Sequence, residues 1–175
     1  MLQEGAEGDY FYVLSRGSAL VTRETPLSKV GIKLAELRVG DTFGEEALIS
    51  DAKRNATVTM LTDGGVMRLG KEDFKKLLNE PMLDWVDFDE AQQVIQGGGQ
   101  WLDVRLPSEF ENQHLDSAVN IPLYFIRLKL NTLDQSKKYI VCCDTGRRSS
   151  AGAYILSERG FQAYVLRGGI NKEQG

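Results

Sequence analysis

The two halves of this chain follow different hydrophobic patterns. Up to about Leu69, short apolar runs alternate with glycine-containing turns, as in Tyr10–Leu14 before Arg16-Gly17. Many short strands at regular spacing are typical of an antiparallel β-roll. From Val86 onward, apolar strands alternate with helical patterns, which is typical of an α/β domain with a mostly parallel sheet. The sequence therefore predicts two domains, an all-β roll followed by an α/β domain.

The predicted roll covers residues 1–80, a junction covers 81–85, and the α/β domain covers 86–175. An amphipathic helix is predicted over Lys71–Asn79, and Pro81 is expected to end it because proline lacks a backbone donor. Within the roll, Asp63-Gly64-Gly65 between two strand-like runs predicts a β-hairpin. In the α/β domain, Asp87–Glu90 has the form of a capping box that opens a helix.

Composition limits the classes of partner. The 175 residues carry a net charge of −4, which argues against nucleic acid or an anionic membrane as the main partner. No apolar run reaches the length of a transmembrane helix. The two cysteines are neighbours in sequence and cannot link distant parts of a fold, so we expect a reducing, cytoplasmic location. A single histidine leaves no case for a metal site, and no cofactor is expected to be required.

The segment Cys143–Ser149 is the strongest candidate for chemistry. It follows the buried strand Tyr139–Cys142 and precedes a predicted helix, Ser149–Arg159. In that order, the N–H groups of the loop and the positive end of the helix point at one sulfur. Arg147 and Arg148 add two positive charges. These features favour the thiolate, which is the nucleophilic form of cysteine.

The loop has the form Cys-x-x-Gly-x-Arg and resembles the active loop of the rhodanese family. The resemblance runs from about Val86 to Gly169 and includes further segments in the family's order: Leu102–Arg105, Pro107–Phe110, His114-Leu115, Ala118–Pro122 and Leu166–Gly169. It implies a ping-pong reaction. Cys143 would attack the outer sulfur of a small donor such as thiosulfate, form a persulfide, and pass that sulfur to an acceptor.

The resemblance also implies roles for the loop residues. Asp144, Thr145, Gly146 and Arg147 would surround the anionic persulfide, with Gly146 permitting a positive φ angle. Arg148 corresponds to the loop-closing arginine of the family and is the second predicted catalytic residue. Arg147 stands at a variable position and could orient an anionic donor. Related phosphatases of the same fold have a loop one residue longer, so this loop favours sulfur over phosphate.

Several residues near the loop have plainer interpretations. Asp103 and Arg105 end the neighbouring strand and could brace the loop, but Asp103 could equally pair with a nearby arginine. Cys142 is interpreted as a buried small residue facing away from Cys143, since side chains alternate along a strand. His114 is interpreted as structural.

In the first half, Phe43–Ile49 followed by Arg54–Val58 resembles the phosphate-binding cassette of cyclic nucleotide-binding domains. The resemblance implies a short helix from Gly44 or Glu45 whose N–H groups face a cyclic phosphate. Glu45 would accept from the ribose 2′-hydroxyl, and Arg54 would neutralise the phosphate. The predicted nucleotide site comprises Gly44, Glu45, Glu46, Ala47, Arg54, Asn55 and Ala56.

The cassette departs from the usual pattern in two places. Lys53 stands where many members have proline, and Asn55 where cAMP binders commonly have alanine, so cAMP and cGMP both stay open. Met1 aligns within the family's second strand, so the domain is expected to be partial. The alternative is a β-domain that kept its shape without a ligand, with Glu45 and Arg54 paired across an empty pocket.

The combined interpretation is a rhodanese-type sulfurtransferase with a cyclic nucleotide as its regulatory ligand. A non-catalytic adaptor that senses cyclic nucleotide is the first alternative, although the intact loop from Cys143 to Arg148 argues against it. A phosphatase or arsenate-reductase-like enzyme is the second alternative, and the length of the loop disfavours it.

Overall fold

The computed structural model of the chain describes residues 1–26 and 28–171. They form two compact units, the first spanning Met1–Leu78 and the second beginning at Asn79. The strands are β1 Tyr10–Arg16, β2 Ala19–Thr25, β3 Ser28–Leu37, β4 Thr42–Phe43, β5 Thr57–Met60, β6 Gly65–Gly70, β7 Asp84–Val86, β8 Gln100–Asp103, β9 Val119–Asn120, β10 Lys138–Cys142 and β11 Gln162–Leu166. The α-helices are α1 Glu45–Ile49, α2 Lys71–Phe74, α3 Glu80–Met82, α4 Phe88–Gln96, α5 Pro107–Asn112, α6 Ile126–Lys129 and α7 Arg147–Glu158. A π-helical turn spans Lys75–Asn79, and 3₁₀ turns span Leu123–Phe125 and Leu130–Thr132.

The first unit is an antiparallel β-roll, as the sequence predicts. Its two three-stranded sheets have the orders β4-β1-β6 and β3-β2-β5. Leu2 adds an antiparallel bridge to Val58 of β5. The core between the strands is apolar and includes Leu14, Leu34 and Phe43. The short helix α1 interrupts the strands at the predicted cassette.

The second unit contains a five-stranded sheet in the order β7-β11-β10-β8-β9. All four pairings are parallel, which confirms the predicted class of sheet. Because β10 and β8 end side by side, Cys142 is paired with Asp103 in register. The residues that follow these two strands therefore lie at one edge of the sheet, the usual place for a site in an α/β fold.

Two apolar clusters form the core of the second unit. One contains Cys143 together with Ala153 and Leu156 of α7, and the other contains Cys142 together with Ala91 of α4. Asp87 and Glu90 form the predicted capping box that opens α4. The helix α7 begins two residues before the predicted start, because Gly146 adopts φ 100° and serves as its N-cap.

Two local predictions are wrong. The strands on either side of Asp63–Gly65 do not form a hairpin, since β5 pairs with β2 and β6 pairs with β1. Pro81 does not end the helical segment, because Glu80–Met82 is a helical turn of the second unit.

The domain boundaries stay a prediction, and the part of 86–175 beyond residue 171 lies outside the described residues. Residues 84 and 85 of the predicted junction belong to β7, the edge strand beside β11. In the part of the chain that the structure describes, no helix combines the length and apolar character needed to cross a bilayer.

Candidate active site

Two backbone N–H groups converge on the sulfur of Cys143. The N–H of Gly146 donates to Sγ at 3.1 Å, and the N–H of Ser149 donates at 3.3 Å. The Ser149 hydroxyl oxygen lies 3.3 Å from the same sulfur. The Cys143 side chain is buried. Ser149 belongs to the first turn of α7, so the positive end of that helix faces the sulfur, as the sequence predicts.

Arg148 is held by two carboxylates. Its Nη1 donates to Glu109 Oε2 at 2.7 Å and its Nη2 to Glu109 Oε1 at 2.8 Å, a bidentate pair. Its Nη2 also lies 3.1 Å from Asp144 Oδ1. The hydrogen bonds from Arg148 lower the pKa of Glu109 to about 2. Burial is the largest single influence on Asp144 and raises its pKa. The hydrogen bond and charge of Arg148, together with hydrogen bonds from Thr145 and Cys143, outweigh burial and hold the pKa of Asp144 below its usual range.

The same contacts define what Arg148 does in this structure. Its guanidinium ties the loop after β10 to α5, and its pKa is raised chiefly by the hydrogen bond to Glu109. Among the described residues, no hydrogen bond joins Arg148 to Cys143. Glu109 lies 39 positions away in the chain, and sequence reasoning gave it no role. Its place two residues after Pro107, in a segment that resembles the family, was the available signal.

Two predicted loop residues point outward. Thr145 and Arg147 are both exposed, whereas Gly146 between them is buried. No salt bridge of Arg147 occurs among the residues that the structure describes. Since Arg148 is matched by Glu109 and Asp144, Arg147 is the loop cation that carries no such partner.

Asp103 and Arg105 form a buried ion pair with each other. Arg105 Nη2 donates to Asp103 Oδ2 at 2.7 Å and to the carbonyl oxygen of Gln113 at 2.6 Å. Asn120 Nδ2 donates to the backbone oxygens of both residues at 3.0 Å. This arrangement matches the plainer interpretation, in which Asp103 pairs with a nearby arginine. The pair orders the segment after β8, and a role in binding a donor stays a prediction.

The second cysteine faces the other side of the sheet. Cys142 is fully buried in the cluster on the α4 side, with its thiol 3.7 Å from the carbonyl oxygen of Leu102. Burial, together with the charge of Asp103, raises the pKa of the Cys142 thiol far above its ordinary value. His114 is local to its helix end, stacked on Phe110 with Nδ1 2.7 Å from that residue's carbonyl oxygen. Neither side chain is brought to Cys143.

In the first unit, Arg54 is buried against the start of α1. Its Nη1 donates to the carbonyl oxygen of Gly44 at 2.7 Å, and its Nη2 donates to that of Tyr10 at 2.9 Å. Its Nε has no hydrogen-bond partner among the described residues. Burial lowers the pKa of Arg54, while Tyr12 and the nearby carboxylates of Asp9 and Glu45 oppose that change.

Two other residues of the predicted cassette act on this guanidinium, Gly44 by its carbonyl oxygen and Glu45 by its charge. Gly44 is the N-cap of α1 with φ 89°, and a side chain there would begin 2.7 Å from Arg54 Nη1. Glu45 and Ala47 are buried. Asn55 Nδ2 donates to the carboxylate of Glu46. Ala56 packs against the core of the roll. The structure therefore brings Gly44 and Glu45 to the buried Arg54, whereas Asn55 pairs with Glu46 and Ala56 belongs to the core of the roll.

The family comparison decides what this fold represents. The rhodanese-like domain family matches residues 71–174, and the cyclic nucleotide-binding domain family matches residues 1–80. The chain belongs to the rhodanese-like family. It joins a rhodanese-like domain to a cyclic nucleotide-binding domain, as the sequence predicts. Proteins of similar sequence are found for each of the two domains. Thiosulfate sulfurtransferase PspE of Escherichia coli is 35% identical over 72 residues, which cover 40% of this chain and 69% of PspE.

A relative of the first domain is the cAMP-dependent protein kinase regulatory subunit of Yarrowia lipolytica. It is 44% identical over 84 residues, which are 48% of this chain but 21% of that subunit. This chain thus spans only a small part of the kinase subunits that it resembles. Among solved structures, a rhodanese-related protein of Thermoplasma volcanium covers 53% of this chain and 93% of its own length, with 32% identity and a TM-score of 0.49.

Proposed function

We propose that this protein is a sulfurtransferase in which Cys143 carries the transferred sulfur as a persulfide. The observation that carries the proposal is the convergence of the Gly146 and Ser149 N–H groups on the Cys143 sulfur. Two fixed donors suit a thiolate in the resting enzyme and the terminal sulfur anion of a persulfide after reaction. Similarity to thiosulfate sulfurtransferase PspE supports the same reaction class.

The reaction proceeds in two steps. The Cys143 thiolate attacks the outer sulfur of thiosulfate, a new S–S bond forms, and sulfite leaves with the electron pair of the bond that breaks. The persulfide then gives its outer sulfur to a nucleophilic acceptor, which regenerates the thiolate. Because the Cys143 side chain is fully buried, the loop favours donors whose reacting sulfur is terminal and unbranched.

Within this proposal, Arg147 and Arg148 have different tasks. Arg148 keeps the loop closed through Glu109 and Asp144, so most of its charge is already matched. Arg147 is exposed at the loop and is the cation available to an anionic donor. Arg147→Ala is therefore expected to raise KM for thiosulfate with little change in kcat.

We further propose that the first domain binds a cyclic nucleotide through Arg54 and that binding regulates sulfur transfer. The buried Arg54 Nε without a partner supports an anionic ligand, because an unsatisfied charged donor is costly. The sequence similarity to a cAMP-dependent protein kinase regulatory subunit agrees with this ligand class. The bonds of Nη1 and Nη2 to the carbonyl oxygens of Gly44 and Tyr10 hold the guanidinium in place and leave Nε as the donor for the ligand.

Intact-protein mass spectrometry after brief incubation with thiosulfate tests the first proposal. The wild type should gain one sulfur and lose it with cyanide, which accepts it as thiocyanate. Cys143→Ser should gain none, whereas the neighbouring Cys142→Ala should still gain one. Sulfur addition that persists in Cys143→Ser would exclude Cys143 as the carrier, and no addition to the wild type would favour the adaptor alternative.

Isothermal titration calorimetry with cAMP and with cGMP measures nucleotide binding and tests the second proposal. Arg54→Ala should weaken binding at least about tenfold, since a hydrogen bond to a charged group contributes about 1.5–3 kcal/mol. Arg38→Ala removes an exposed arginine of the same domain and serves as the control. Regulation requires that a saturating nucleotide change the rate of sulfur transfer. An unchanged rate would remove the regulatory proposal and leave the binding proposal standing.

A further inference from the structure

Trp85 covers the residue that donates the shorter hydrogen bond to the Cys143 sulfur. A side chain at position 146 would begin 3.5 Å from Trp85 Cζ3, so the six-membered ring of the indole lies directly beside the Gly146 α-carbon. Gly146 belongs to a loop at the edge of the sheet, yet it is buried. Trp85 Cη2 and the carbonyl oxygen of Leu166 are each 3.8 Å from the same position.

Strand geometry explains why the indole reaches this loop. Trp85 lies on the edge strand β7, opposite Val165 of β11. Leu83 packs on the cluster that contains Cys143, and Val86 packs on the opposite cluster. Since side chains alternate along a strand, Trp85 lies on the same face as Leu83 and as α7. Trp85 is nevertheless 39% exposed, so it is only partly buried by the apolar core.

We propose that Trp85 is a positioning residue, which holds the Gly146 peptide so that its N–H points at the sulfur of Cys143. Gly146 is linked to the active loop at both of its polar groups. Its N–H donates to Cys143 Sγ, and its carbonyl oxygen accepts the N–H of Ser150 at 3.0 Å in the first turn of α7. The indole shields this peptide from water.

The physical consequence is electrostatic. A hydrogen bond to an anion is stronger where water is excluded, because competing solvent and high dielectric both weaken it. Gly146 has no side chain of its own to shield its peptide from water. Because its φ is positive, any other residue at this position would be strained. Loss of the indole would expose the Gly146 N–H and let the loop move, which weakens the thiolate and the persulfide alike.

The test compares Trp85→Ala with the conservative variant Trp85→Phe in the full chain. The first readout is the rate of Cys143 alkylation by iodoacetamide as a function of pH, with Cys142→Ala as the background. It needs no sulfur donor, so it remains informative even if the proposed sulfurtransferase activity fails. The second readout is the rate constant for persulfide formation from thiosulfate, which does rest on the proposed function. Fluorescence of the remaining Trp101 reports whether each variant is folded.

Trp85→Ala is expected to shift the alkylation profile to higher pH and to slow persulfide formation about tenfold, less than the loss of a complete oxyanion donor. Trp85→Phe, which keeps a flat ring beside Gly146, should stay within about twofold of wild type on the same scale. Leu106→Ala is the matched control, because Leu106 is an exposed apolar residue that follows β8, where the carboxyl ends of the strands meet.

Two results would overturn the proposal. One is a folded Trp85→Ala protein whose alkylation profile coincides with that of wild type. The other is an equal loss of the rate of persulfide formation in Trp85→Ala and Leu106→Ala, which would indicate a general effect of removing exposed apolar side chains. If Trp85→Ala does not fold, Trp85→Leu replaces it, and an unchanged pH profile in that variant counts equally against the proposal.

Discussion

Replacing Glu109 by glutamine removes the charge that pairs with Arg148 while keeping the shape of the side chain. The amide oxygen can still accept the N–H of Leu106, which Glu109 Oε2 accepts at 3.0 Å at the start of α5. Glu109→Gln therefore tests the ion pair between α5 and the active loop with little effect on the cap. Asp144 continues to contact Arg148 in the variant.

The size of the effect follows from the pKa of Glu109, which Arg148 lowers from 4.5 to about 2. In a fully shielded site, such a change would correspond to about 3 kcal/mol of stability at neutral pH. The side chains are partly exposed, 34% for Glu109 and 28% for Arg148. Solvent screening reduces the expected loss on substitution to about 1–2 kcal/mol.

The dependence on pH has a definite sign. A carboxyl with a lowered pKa in the folded state contributes stability that is complete above its unfolded pKa and is lost as the pH falls through the folded pKa. For Glu109 the loss extends from about pH 4.5 down to about 2. The wild type and Glu109→Gln are therefore expected to differ in stability at pH 7 and to converge as the pH falls through this range.

Urea denaturation followed by tryptophan fluorescence measures this difference. The two tryptophans of the chain, Trp85 and Trp101, both lie in the second unit, so the signal reports on the unit that contains Glu109. Glu111→Gln makes the same substitution at an exposed site on α5 and should leave the free energy of unfolding within about 0.5 kcal/mol. A Glu109→Gln protein as stable as wild type at pH 7, or a difference that persists unchanged at pH 2, would refute the reasoning.

Three further substitutions have expected outcomes. Gly44→Ala should destabilise the first unit by about 1–3 kcal/mol, because φ is 89° and the new methyl group would meet the Arg54 guanidinium. Urea denaturation followed by circular dichroism measures this loss. Gly40→Ala is the control for backbone strain alone, since φ is 92° there and no atom lies within 4 Å of the new methyl group. Cys142→Ala should cost about 1–2 kcal/mol, since it removes one buried sulfur, and mass spectrometry should still find one added sulfur. Asp51→Asn removes the charge that pairs with Lys71 and Lys75 at a partly exposed site, and it should change the free energy of unfolding by less than about 1 kcal/mol. A larger loss would contradict the assumption that solvent screens exposed ion pairs.

Much of the fold and part of the site can be read from local sequence. The change from glycine-punctuated strands to alternating strands and helices separates the two domain classes, because strand and helix periodicities differ over a few residues. The order of a buried strand, Cys143, Gly146 and a helix is likewise local, and it is enough to bring backbone N–H groups to the sulfur. Strand alternation also places Cys142 on the opposite face of the sheet.

Only the tertiary structure shows which residues and strands far apart in the sequence contact each other. Apart from the family resemblance of its segment, no local pattern distinguishes Glu109 from other acidic residues as the partner of Arg148. The parallel arrangement of β10 and β8 brings α5 to the loop. The strands that flank Asp63–Gly65 were predicted to pair with each other, but each completes a different sheet. Trp85, in a segment predicted as a junction, reaches Gly146 only because β7 pairs with β11. Backbone conformation depends on neighbours within a few residues, whereas these contacts depend on which strands lie side by side in the folded sheet.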